Sequence, residues 1–204
     1  MKEPLITVQD DFLPKDLFSR IEEVMFGIDI KWDYQPNATY PPNKKGAMVK
    51  LMHRGPSDSF GKEDTEYQFC FNHLFWGYNG SECHWSEHYE ELCVPFLKRL
   101  EIPFVTRIKA NLLVKQTRPS IGAWHLDLTS NTPSEIKLMK HYCTGIYYCN
   151  TNNGYTEIQI SKNETRKIES VANRLVIFPT NLSHRAIGQT DENARIVINF
   201  LFIF

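Results

Sequence analysis

From residue 107 onward the chain is a succession of short apolar or alternating runs. They fall at 108–115, 122–126, 144–150, 157–161, 174–178, 184–187 and 195–204. Runs of this length, separated by turn-forming residues at intervals of about ten, predict strands of a sandwich or barrel rather than a helical bundle. Asn152-Asn153-Gly154 is a tight-turn signal, and Gly188-Gln189-Thr190-Asp191-Glu192-Asn193 joins the last two strands as a hairpin. The final run is almost wholly apolar, which predicts a strand covered on both faces. Arg195 at its start is then an anomaly. A buried charge is costly unless paired, so it either awaits an anionic ligand or caps the strand end and reaches solvent or Asp191.

The N-terminal half reads differently. Residues 5–8 suggest a short strand, and Pro14 leads into a helix over 15–26 whose Leu17, Phe18, Ile21, Val24 and Met25 recur at helical spacing. The Pro- and Asn-rich stretch 33–45 predicts a loop, 48–53 a strand, 55–61 another loop, and 86–100 a helix. Aromatic residues crowd together between 65 and 100, as a supporting layer beneath the strands or as a pocket wall. In that region His84 and His88, flanked by Cys83 and Cys93, raise the alternative of a structural zinc site, although their spacing follows no zinc pattern.

The chemistry-bearing residues are His125, Asp127 and His184. On an extended strand, side chains two apart share a face, so His125 and Asp127 can grip one ion, and His184 on a later strand supplies a third ligand. Two histidines and one carboxylate form the facial triad of non-haem Fe(II) oxygenases, with three positions left open. A bidentate 2-oxo acid and dioxygen would fill those positions, and the planar guanidinium of Arg195 suits the far carboxylate of such an acid. An H-x-D triplet alone is weak; its order with a distal His and a strand-borne Arg is what carries weight.

These residues resemble the 2-oxoglutarate- and Fe(II)-dependent dioxygenases of the prolyl 4-hydroxylase type. The matching positions are His125-Leu126-Asp127, Ile146-Tyr147-Tyr148-Cys149-Asn150, Gly154-Tyr155-Thr156, His184 and Arg195, and Asp10-Asp11-Phe12-Leu13-Pro14 looks like the opening of such enzymes. The resemblance implies a mainly β fold with flanking helices around a double-stranded β-helix (jelly-roll, cupin-like) core. It implies a single domain over 1–204, with 1–106 as helical and aromatic support and 107–204 as the core. It further implies iron ligation by His125, Asp127 and His184, and 2-oxoglutarate held by Arg195 and Tyr148, although a one-residue register shift would bring Tyr147 forward instead. Val197 departs from the many relatives with Ser or Thr two residues after the Arg, and that removes one ancillary hydrogen bond to the co-substrate. Trp124 and Lys115 are candidate substrate-binding residues, with core packing and surface solvation as their plainer readings.

The implied activity is hydroxylation of an unactivated C–H bond in a prolyl, peptidyl or amino acid substrate, with Fe(II), 2-oxoglutarate and O2 consumed or bound and ascorbate a candidate reductant. The alternative is a non-catalytic module of the same fold that binds a metabolite or protein partner. Composition narrows the setting. With 23 basic and 24 acidic side chains the net charge is -1, so no global field favours nucleic acid or an anionic membrane. Five cysteines without a recurring spacing argue against a disulfide framework. No leader-like or membrane-spanning apolar stretch is apparent, which leads to the expectation of a soluble cytoplasmic protein acting on a small-molecule or peptide substrate.

Overall fold

A computed structural model of the protein describes residues 6–36, 68–78, 82–128 and 141–203. Strands β1 (Thr7–Gln9), β2 (Asp33–Gln35), β3 (Cys70–Tyr78), β4 (Cys83–Trp85), β5 (Phe104–Val114), β6 (Tyr142–Tyr148), β7 (Tyr155–Ser161), β8 (Glu164–Glu169), β9 (Arg174–Pro179), β10 (His184–Ile187) and β11 (Ala194–Ile203) form two sheets. Helices α1 (Lys15–Met25) and α2 (Val94–Arg99) flank them, the second preceded by a π-helical turn at Tyr89–Cys93. The larger sheet runs β1-β9-β6-β11-β5-β3-β2 with β4 added on β3, and the smaller runs β10-β7-β8. Every pairing is antiparallel. The chain is therefore mainly β, with a jelly-roll core of two facing sheets.

Period-two alternation assigns the two faces of the large sheet. On β11, Ile196, Ile198, Phe200 and Phe202 join α1, α2 and Phe12 in one core, while Val197 joins Ile146, Tyr148, Ile158, Val176 and Phe178 between the sheets. Both faces of β11 are thus covered, as its apolar run requires. On β6 the same parity sends Tyr147 to the helix side and Tyr148 between the sheets. Phe96 of α2 is fully buried, with ring centroids 5.7 Å from Phe12, 4.7 Å from Tyr147 and 4.8 Å from Phe200. Phe75 and Phe96 accordingly support the sheet, whereas Trp85 is 63% exposed and stacks on Trp76.

Several elements differ from the sequence reading. Residues 33–35 are a strand rather than loop, and β3 and β4 occupy the aromatic stretch. Region 1–106 therefore supplies strands to both ends of the large sheet as well as support. β8 went unread because ETRKIE is polar and almost wholly exposed on a sheet edge, with Ile168 alone buried. The expected strand 122–126 makes only isolated bridges, Ile121 to Ile187 and His125 to His184. The expected helix 86–100 is a π turn followed by α2. The strand expected at 48–53 and the loop at 55–61 lie outside the described residues.

One polar clamp ties the N-terminal arm to the sheets. Asn173, at φ 59°, accepts from Leu13 N (2.8 Å) and the Tyr147 hydroxyl (2.9 Å) through Oδ1, and donates from Nδ2 to the Leu13 carbonyl (2.9 Å). Asn is among the few residues that accept this left-handed backbone cheaply. Asn173→Ala strands buried polar groups and adds backbone strain, so it should lower stability by about 3–4 kcal/mol. Urea unfolding checks this, and an unchanged midpoint would contradict the clamp.

Candidate metal centre and its cleft

His184 opens β10, and the segment carrying His125 is locked beside it by reciprocal backbone hydrogen bonds, each 3.0 Å. That antiparallel bridge brings the imidazoles together, with ring centroids 4.3 Å apart. Asp127, two residues on and beyond the bridge, places Oδ2 3.5 Å from His184 Nε2. One ligand atom from each of the three lies within 4.8 Å of the other two, and among the described residues no other His, Cys, Asp or Glu trio does so. The Cys83–Cys93 region does not assemble a comparable set: Cys83 is exposed and Cys93 fully buried.

Charge states follow from the surroundings. Burial and the neighbouring His184 push His125 down to about 3, and burial also lowers His184. For Asp127 burial acts to raise the pKa, but His184, Arg107, His125 and the hydrogen bond from Asn199 outweigh it, leaving the carboxyl well below its usual range. At neutral pH the trio is therefore two neutral imidazoles and a carboxylate, the states in which these side chains ligate metals. His125 Nδ1 sits 3.1 Å from the Ala123 carbonyl. Donating there leaves Nε2 as the free lone pair, an orientation typical of metal-ligating histidines. The donor set fits a divalent iron.

Asp127 is held from three strands. Arg107 Nη2 donates to Oδ1 (2.9 Å), while Asn199 Nδ2 (2.9 Å) and the Thr144 hydroxyl (3.1 Å) donate to Oδ2. Arg107 also donates to Asn199 Oδ1 at 3.2 Å, closing the network. Sequence reasoning missed all three partners. One signal was present: Asn199 is the polar interruption of the apolar β11, in phase with Arg195 and Val197.

Arg195 lies at the other end of the same cleft and is 2% exposed. Its Nε donates to Ser170 Oγ (2.9 Å) and its Nη2 to Thr156 Oγ1 (3.1 Å), and it lies 5.6 Å from the Tyr148 ring centroid. Among the described residues no carboxylate pairs with it, and Asp191 instead accepts from the Asn153 and Glu192 backbone. Burial pulls its pKa below the ordinary value, with Tyr148 acting the other way. Gly154 is packed against it: an added Cβ would sit 2.9 Å from Arg195 Cδ and 2.8 Å from the Ile187 carbonyl. The turn glycine is thus required by the close approach of the Ile187 carbonyl, with the Arg195 stem packed beside it.

Of the two adjacent tyrosines, Tyr148 packs beside Arg195 and donates to Thr156 Oγ1 (2.9 Å) but does not itself line the cleft, while Tyr147 is turned away toward Asn173. Lys115 and Trp124 are not among the cleft-lining residues. β5 ends at Val114, so exposed Lys115 reaches the Asp191 carbonyl (3.0 Å) instead. The Trp124 ring lies under the Arg185 guanidinium, which pairs with Glu157. Lys109, Asn111 and Cys70 form the wall opposite the histidines. The cleft is open to solvent.

No protein-family model and no curated protein matches the sequence. Similarity emerges at the level of structure. A 2OG-Fe(II) oxygenase family oxidoreductase from Burkholderia pseudomallei superposes with TM-score 0.64 at 9% identity, over 97% of this chain and 84% of that one. A prolyl-4-hydroxylase from Pseudomonas putida gives 0.58 at 12%, over 99% and 93%. A Trichoplax adhaerens prolyl hydroxylase, solved with a hypoxia inducible factor peptide fragment, gives 0.58 at 13%, over 97% and 83%. In fold, the chain is of the kind shared by 2OG-Fe(II) oxygenases and prolyl hydroxylases.

Proposed function

We propose that the protein is an Fe(II)- and 2-oxoglutarate-dependent dioxygenase that hydroxylates an unactivated C–H bond of a prolyl, peptidyl or amino acid substrate, releasing succinate and CO2. The observation that carries this reading is one cleft with a ligand-ready His-Asp-His trio at one end and, at the other, a buried guanidinium that no carboxylate among the described residues pairs. A binding module has no need of both. Bound iron would supply the activation of dioxygen, which no side chain can provide.

The chain's residues supply the rest. His125, Asp127 and His184 would hold the ion, leaving its remaining positions to co-substrate and oxygen. Arg107, Asn199 and Thr144 keep both Asp127 oxygens aligned, so the ligand is in place before an ion arrives. Arg195 would pair with the distal carboxylate of 2-oxoglutarate. Thr156 Oγ1 already accepts from Arg195 and Tyr148, so its own proton is free for that carboxylate, and displacement of the Tyr148 hydrogen bond would add a further donor. Val197, Ile146 and Leu113 line the path between the ends with apolar surface and exclude water from it. No general base is called for. The Trichoplax enzyme's peptide supports a peptidyl substrate here.

Succinate release in the presence of Fe(II), 2-oxoglutarate, ascorbate and oxygen tests the assignment. It should depend on each of the iron and the oxo acid, and pools of peptides or amino acids should show products heavier by one oxygen. Absent turnover across those pools would favour the non-catalytic module, and turnover without iron would refute the iron-dependent reading.

A further inference from the structure

The cleft carries one more cation than the proposed reaction uses. Arg107 is committed to Asp127, and Arg195 is set aside for the distal carboxylate of the co-substrate. Lys109 remains. It faces the cleft from β5, and no hydrogen bond or ion pair of its side chain occurs among the described residues. Asn111, next on the same face of the strand, also lines the cleft with its amide unengaged by any described residue. The register fixes where this pair sits. Lys109 is paired with Asn199, the residue that donates to Asp127, whereas Arg195 is paired with Leu113. Lys109 is therefore at the metal end and Arg195 four residues deeper, about 13 Å along the strand at ~3.3 Å per residue.

The two basic groups thus serve different ligands. A diacid anchored at Arg195 and reaching the metal trio satisfies the deep guanidinium and leaves the ammonium at the metal end facing only Asp127, which Arg107 already pairs. Burial and the nearby Arg107 lower the Lys109 pKa, while Asp127 acts against them, so the ammonium is held at a cost that an anion would relieve. A divalent ion in the trio would increase the positive excess on this wall. Lysine binds carboxylates as a mobile point charge, and a neighbouring amide donor restricts where that carboxylate can lie.

We infer that Lys109, assisted by Asn111, holds a carboxylate of the primary substrate, so that the molecule hydroxylated carries an acidic group close to the reacting carbon. This rests on the dioxygenase reading above and specifies its substrate class. The carboxylate could belong to a free amino acid or to an acidic side chain in a peptide, and the two are separable by experiment.

The test is substrate-stimulated succinate release with matched acid and amide probes. One arm compares the twenty amino acids with their amides; the other compares blocked acetyl-prolyl-glutamate amide with acetyl-prolyl-glutamine amide, and the aspartate and asparagine counterparts. At least one acid should stimulate roughly tenfold more than its amide at equal concentration, and Lys109→Met should remove that difference. Which arm responds identifies the source. Equilibrium binding of 2-oxoglutarate to the Mn(II) protein, measured in parallel, should be the same within about threefold for Lys109→Met and wild type. The inference is overturned if no acid exceeds its amide, if Lys109→Met keeps the preference, or if the variant loses 2-oxoglutarate affinity instead. A protein that binds neither metal nor 2-oxoglutarate would sink the dioxygenase reading itself, a result distinct from these.

Discussion

Asp127→Ala should bind Fe(II) more than ~100-fold more weakly than the wild-type chain and release no succinate above background, because loss of a ligand exceeds the roughly 10–100-fold cost of losing an outer partner. Three features make this the largest effect expected. Asp127 is the only anion of the trio, so its removal leaves two neutral imidazoles facing a dication. Its side chain is 5% exposed, so no water-filled surface takes over its role. Both oxygens are also fixed by Arg107, Thr144 and Asn199, which means that the substitution destroys a prearranged ligand rather than a mobile one. The fold should survive, since the Arg107 side chain is 29% exposed and can turn its guanidinium to solvent. Isothermal titration with Fe(II) under anaerobic conditions, with far-UV circular dichroism as the folding control, checks the outcome. Metal affinity within a few-fold of wild type would remove Asp127 from the centre.

The second large effect separates co-substrate from metal. Arg195→Met should leave Fe(II) affinity close to wild type while weakening 2-oxoglutarate by about 3 kcal/mol, or roughly 100-fold. Arg195 is buried with two hydroxyl partners and no acid among the described residues, a state that a hydrophobic side chain of similar volume relieves. The variant should therefore be as stable as the parent or more so, and any loss in binding cannot be assigned to unfolding. Arg195→Lys should fall between the two, because a single ammonium lacks the two parallel donors that a carboxylate accepts. Equal 2-oxoglutarate affinity in Arg195→Met would refute the pairing.

How much of this was legible in the sequence depends on the distance over which each relation acts. His125, Asp127, His184 and Arg195 could be read because a two-residue spacing and a hairpin turn are local devices, and because a lone charge opening an apolar strand is conspicuous. The choice between Tyr147 and Tyr148 was not legible, since strand parity needs a register. Pairing of β6 with β11, Val197 opposite Tyr148, supplies it. Arg107, Thr144 and Asn199 converge on Asp127 only through lateral pairing of β5, β11 and β6, whose residues are up to 92 apart in sequence. Lys115 illustrates the opposite error. It has the parity of Lys109 and Asn111, but the strand ends one residue before it and its side chain turns to the 188–193 hairpin. The short strands β2 and β4 have too few residues to show a period, and β8 has one buried position to mark its inward face.

In the proposed reaction one cleft holds a metal ion and a 2-oxo acid together, one at the His-Asp-His trio and the other reaching back to Arg195. Anaerobic titration of the Fe(II)-loaded protein with 2-oxoglutarate tests it most directly, because chelation of the oxo acid to bound iron produces a weak visible charge-transfer absorption. This band should appear, saturate at one equivalent of 2-oxoglutarate per chain, be absent in Asp127→Ala, and need far higher 2-oxoglutarate in Arg195→Met. A wild-type chain that binds iron yet shows no such band at saturating 2-oxoglutarate, or one whose band is indifferent to both substitutions, would contradict it.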